Sequence, residues 1–83
     1  MQLEKGVQLM KITIGQVLKD KRINLNLNCS EMAKKIGISR MTYYRIENDM
    51  TNHISFATKS KIANVLNKNI EYVINLINLN KGE

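Results

Sequence analysis

Residues 28–48 read Asn28-Cys-Ser-Glu-Met-Ala-Lys-Lys-Ile-Gly-Ile-Ser-Arg-Met-Thr-Tyr-Tyr-Arg-Ile-Glu-Asn48. Asn28 opens a helix, because its short side chain accepts from a backbone N–H two or three residues on, and Glu31 stands at the reciprocal position. Met32, Ala33 and Ile36 then form one apolar stripe at helical spacing. Gly37 follows at once, where a helix end favours a residue able to take positive φ. Ile38 is an apolar bridge. Ser39 caps the next helix, which runs through about Asn48. Tyr43 and Ile46 lie on one side of it; Arg40, Met41, Tyr44 and Arg45 lie on the other. Two short helices joined by a turn containing Gly make a helix-turn-helix.

The same punctuation continues outward. Thr13 with Gln16 reads as a capping box. Ile14, Val17 and Leu18 give an apolar face to a first helix that runs to about Asn24, with Lys19, Asp20 and Lys21 on its wet side. Residues 49–54 read as a loop. Ser55 caps a fourth helix whose apolar residues are Phe56, Ile62, Ala63, Val65 and Leu66. Asn67 ends that helix and Asn69 caps a fifth. The fifth carries two stripes: Ile70, Val73, Ile74 and Ile77, then Tyr72, Leu76 and Leu79. The first stripe is expected to dock on the domain and the second to make a dimer contact. The expected fold is therefore all-α, with five helices and the helix-turn-helix at helices two and three. Residues 1–11, with Leu3, Val7, Leu9 and Met10, read as an N-terminal arm or tail. Residues 12–80 read as the domain and 81–83 as a C-terminal tail.

Composition bounds the function. Eighty-three residues give room for one domain with one small core. Four Gly and no Pro argue against the many turns of a sandwich or barrel. One Cys and one His cannot supply the ligands of a structural zinc site, and a lone Cys forms no internal disulfide. No cofactor is implied. No apolar run approaches a membrane span, and the first ten residues lack the run of a signal peptide. The expected location is cytoplasmic. Thirteen Lys plus Arg against seven Asp plus Glu leave a net charge of +6, which makes a polyanion plausible. Asn, Ile and Lys, all drawn from A/T-rich codons, are abundant together, which lowers the weight of the lysines.

The stretch from Leu27 to Asn48 resembles the Cro/CI (XRE) family of helix-turn-helix regulators, whose DNA-binding domain is the lambda-repressor-like one. Ile14 to Arg22 is similar to the family's first helix. Ile54-Ser-Phe through Leu66, then Ile70 to Ile74, are similar to its fourth and fifth. The Ile54-Ser-Phe connection also resembles the DNA-binding module of Rgg-type regulators. The resemblance implies that the third helix enters the major groove, with Arg40, Met41, Tyr44 and Arg45 at base-reading positions. It places Cys29, Ser39, Thr42, Asn48, Asn52, His53 and Ser55 where the family grips the phosphate backbone. Arg22 and Glu47 match a pair that forms a buried salt bridge in phage-repressor relatives. Three departures stand out. Cys29 replaces a frequent Gln, Asp49 a frequent Gly, and Tyr43 a compact aliphatic, so Tyr43 needs a larger pocket and a partner for its hydroxyl.

Each of these side chains also fits an ordinary structural role. A guanidinium fork matches the O6/N7 pair of guanine, but two exposed Arg can be solvated decoration. Met41 and Tyr44 suit thymine methyls, or Met41 packs against the first helix. Cys29 at a helix start is a redox switch, or a small side chain tolerated at the interface. His53 has no second His, Cys or carboxylate partner in sight, so no Ser–His–Asp chemistry assembles and no enzyme is expected. The implied function is a sequence-specific transcriptional regulator. It binds double-stranded DNA as a homodimer on a pseudo-palindrome and acts as a repressor, because the chain can occlude a promoter but has no effector domain. The alternative is a protein-interaction module for a partner regulator or toxin, with DNA binding secondary. Charge does not decide between them. Residues 1–28 are net +3, 29–52 net +1 and 53–83 net +2, so the excess is spread along the chain.

Overall fold

The computed structural model describes residues 12–51 and 53–81. Its helices are α1 Ile14–Asn24, α2 Cys29–Ile36, α3 Arg40–Glu47, α4 Phe56–Leu66 and α5 Ile70–Lys81. Their starts are set by local chemistry. Asn28 accepts from the Glu31 N–H at 2.8 Å, and the Glu31 carboxylate accepts from the Asn28 N–H at 2.8 Å, so the α2 capping box is complete. Ser39, Ser55 and Asn69 cap α3, α4 and α5 from one side only, each side chain accepting from the N–H three residues on. Thr13 caps α1 by accepting from the Gln16 N–H. The box expected there is not completed. The Gln16 side chain turns forward instead of back, its amide N–H donating to the Asp20 carboxylate at 3.0 Å one turn on.

Helix ends follow the same logic. Gly37 ends α2 at φ 97 and Asn67 ends α4 at φ 62, both left-handed. Lys61 of α4 donates to the Gly37 carbonyl, which ties the turn of the helix pair to the next helix. Asn48 is the C-cap of α3 rather than its last turn. Helix α5 runs one residue past the expected domain end, to Lys81.

The helices enclose one aliphatic core around a single aromatic. Leu18, Met32, Tyr43, Ile62 and Val73, one from each helix, are its largest fully buried side chains. Helix α3 packs on α2 and α1, α4 packs on α2 and α5, and α5 closes back on α1. The α1–α3 contact depends on Gly15. A Cβ there would stand 2.7 Å from the Ile46 carbonyl oxygen and closer still to that of Glu47. Only glycine lets the α1 backbone lie on the last turn of α3.

Two apolar side chains sit apart from the stripes that their spacing suggests. Phe56 is 67% exposed and contributes nothing to the core. It sits at the first position of α4, before the face turned to the core at Ile62, Ala63 and Leu66. Leu76 does not stay with Tyr72 and Leu79 but packs partly against the core. At roughly 100° per residue it lies about 60° from buried Val73, whereas Leu79 lies about 120° away. Tyr72 and Leu79 remain exposed, Leu79 at 72%.

Candidate nucleic-acid interface

Helix α3 has two unlike faces. Tyr43 and Ile46 are buried against the rest of the fold, and Arg40, Met41, Tyr44 and Arg45 on the other side are all exposed. Met41 projects outward at 56% exposure instead of packing toward α1. An exposed Met and an exposed Tyr between two Arg offer apolar contact and guanidinium forks on one surface about a helix wide. That mixture suits the edges of base pairs in a major groove.

What holds this surface is a network beneath it. Arg22 of α1 donates from Nε to Glu47 Oε1 at 2.8 Å and from a terminal nitrogen to Oε2 at 3.1 Å. Its other terminal nitrogen donates to the Leu27 carbonyl in the α1–α2 connection. The buried Tyr43 hydroxyl donates to Glu47 Oε1, which supplies the partner that this larger side chain requires. The two side chains of the ion pair are only 17% and 8% exposed. Burial opposes the Glu47 charge, but the bonds from Arg22 and Tyr43 outweigh it and hold the carboxyl below its ordinary pKa. Burial, then the bond to Glu47, pushes the Tyr43 hydroxyl up.

Asp49 turns away from the outward face. It takes φ 55, a conformation Asp tolerates better than most residues, and so fills a place where glycine is frequent. Its carboxylate accepts from the Thr13 hydroxyl at 3.0 Å, beside the start of α1. The negative charge is thereby held at the N-terminus of α1.

Beside α3 lies a cleft of about 280 Å³ lined by Thr42, Arg45, Thr51, His53, Ser55 and Thr58, with Ile46 and Ile54 at its wall. The lining carries no carboxylate. It joins one guanidinium, one imidazole and four hydroxyls at the N-terminal end of α4, where free N–H groups favour an anion. Three of the expected backbone-gripping residues, Thr42, His53 and Ser55, therefore come together. Cys29, Ser39 and Asn48 are not part of that cleft. Cys29 is half-buried at the first position of α2 and packs on the core. The Ser39 hydroxyl is engaged in capping, and the Asn48 amide donates back to the Tyr44 carbonyl at 2.9 Å. Asn52 lies outside the described residues, as do residues 1–11 and 82–83. Thr51 and Thr58 were not anticipated. The Ser55-x-x-Thr58 spacing was the available signal, since a cap brings its third neighbour to its own hydroxyl, here at 3.0 Å.

A family model described as helix-turn-helix (HTH_3) matches residues 18–73. The chain belongs to the Cro/CI-type (XRE) helix-turn-helix family. The match begins at buried Leu18 of α1 and ends at buried Val73 of α5, so it spans the helix pair and the core that carries it. The family is one of DNA-binding regulatory domains. A search of curated proteins finds no match. Among the described residues of this helix-turn-helix protein, no helix is long and apolar enough to cross a membrane.

Proposed function

We propose that this helix-turn-helix protein is a sequence-specific repressor that binds a pseudo-palindromic operator as a homodimer, with α3 in the major groove. The observation that carries the reading is the exposed row of Arg40, Met41, Tyr44 and Arg45, continuous through Arg45 with the carboxylate-free cleft at the start of α4. In this reading Arg40 and Arg45 read guanines, and Met41 and Tyr44 touch thymine methyls. Thr42, His53 and Ser55 hold a backbone phosphate in the cleft. Cys29, Ser39, Asn48 and Asn52 border the same backbone. The binding unit is residues 12–80, with 1–11 as an accessory arm.

Tyr72 and Leu79, exposed on α5, supply the contact to a second copy, with half-buried Leu76 at its edge. Two-fold symmetry then spaces the half-sites about 34–36 Å apart. Repression is favoured over activation because Lys34 and Lys35 occupy the exposed side of α2, where family activators often show an acidic patch. The α5 surface also suits a partner protein, which keeps the interaction-module reading in view. Selection of bound sequences from a random duplex library tests the proposal. One enriched, two-fold-symmetric site is expected. Equal recovery of all sequences contradicts it in favour of non-specific coating. No DNA recovery at low salt, with a stable hetero-complex, contradicts it in favour of the interaction module.

A further inference from the structure

The resemblance to phage repressors leads to an Arg–Glu pair, but not to a third member of it. Here that member is Tyr43. Its ring is fully buried at the centre of the core, so it cannot touch DNA. Its hydroxyl has no water to turn to and donates to Glu47 Oε1, the same oxygen that accepts from Arg22 Nε. Tyr43 and Glu47 are one turn apart on α3, and Glu47 is the last residue of that helix. The carboxylate is thus held from within α3 by Tyr43 and from outside by Arg22, which also grips the Leu27 carbonyl. On the other side, the backbone of Gly15 lies against the Ile46 and Glu47 carbonyls. The last turn of α3 is fixed from two directions, and the outward row is fixed with it.

Resting on the DNA-reading role proposed above, we infer that Tyr43 is a positioning residue for sequence discrimination. Its hydroxyl locks the Glu47 carboxylate and so sets the angle at which Arg40, Met41, Tyr44 and Arg45 meet the base edges. Base contacts tolerate errors of only about half an ångström, whereas phosphate contacts made by flexible side chains tolerate more. Loosening α3 therefore costs the preferred sequence and spares non-specific binding.

The test is the full chain carrying Tyr43→Phe, which keeps the ring and deletes one bond. Dissociation constants are measured on the duplex selected with the parent chain and on a scrambled duplex, at equal salt and at a temperature where circular dichroism shows both proteins folded. The expected result is a roughly three- to tenfold loss on the selected duplex, little change on the scrambled one, and an unchanged salt slope. An unchanged ratio of the two constants, with only a lower melting temperature, overturns the inference and leaves Tyr43 a purely structural residue. A Tyr43→Phe chain that does not fold overturns it as well, since the hydroxyl is then a folding requirement. If the parent chain itself shows no preference, the functional reading fails first and this inference with it. A parent with a preference that Tyr43→Phe retains sinks the inference alone.

Discussion

The two faces of α3 are built on opposite terms. The inward face is fully committed: Tyr43 and Ile46 are buried, and Glu47 receives three hydrogen bonds from two side chains. The outward face is uncommitted: all four of its side chains are exposed, and among the described residues none of them forms an ion pair with a carboxylate. A helix of eight residues cannot hold its own shape in water. The inward face therefore supplies the rigidity that the outward face uses. Severe damage to the first should appear as lost stability, its loosening as lost discrimination between duplexes, and damage to the second as lost binding.

The largest break is Arg22→Ala. It leaves a mostly buried carboxylate whose one remaining side-chain hydrogen bond comes from Tyr43, and a loss of about 3–5 kcal/mol in folding stability is expected by denaturant titration. Where both chains are kept folded, it should also lower the preference for the selected duplex, since Arg22 holds the same carboxylate as Tyr43.

The outward counterpart is Arg45→Ala. It should cost about 1–3 kcal/mol on the selected duplex and change folding stability by less than about 0.5 kcal/mol. A variant that lost stability instead would show that Arg45 belongs to the inward network.

A titration probes the inward face without substitution. The Glu47 pKa is depressed in the folded chain, so the unfolded chain takes up this proton first as pH falls. The contribution of Glu47 is complete above its unfolded value and is lost as pH drops below about 4.5 and through the lower folded value. Thermal melts from pH 7 to 3 should show that loss, and Glu47→Gln should flatten it. An identical acid profile for the two chains would mean that other carboxylates carry the transition.

The smallest effect on folding is expected at α5. Leu79→Ser should change monomer stability by less than about 0.5 kcal/mol and weaken self-association in sedimentation. Unchanged self-association would move the dimer contact elsewhere.

Much of this comparison was legible in the residues themselves. Caps are local, so Asn28 with Glu31, Ser39, Ser55 and Asn69 could be placed by spacing alone, as could the division of α3 into Tyr43 and Ile46 against the two Arg. Contacts between distant segments were not legible. Nothing near Gly15 says that the end of α3 lies on it, and nothing near Asp49 says that its charge turns to Thr13. The exposure of Phe56 and the inward lean of Leu76 depend on where α4 and α5 meet the core, which apolarity alone does not reveal. The Tyr43–Glu47 bond lies between. Its four-residue spacing was visible, but a tyrosine at that spacing commonly points to water unless its ring is buried. The cleft of Thr42, His53 and Ser55 joins two elements across a loop, and only the fold brings Arg45 and Thr58 into it.

In the proposed function, sequence is read by the outward face of α3. This is tested most directly by repeating the random-duplex selection with Arg45→Ala beside the parent chain. The same symmetric site is expected, with preference lost at one base pair in each half. Recovery of the parent site unaltered, with every position as sharp as before, would contradict it.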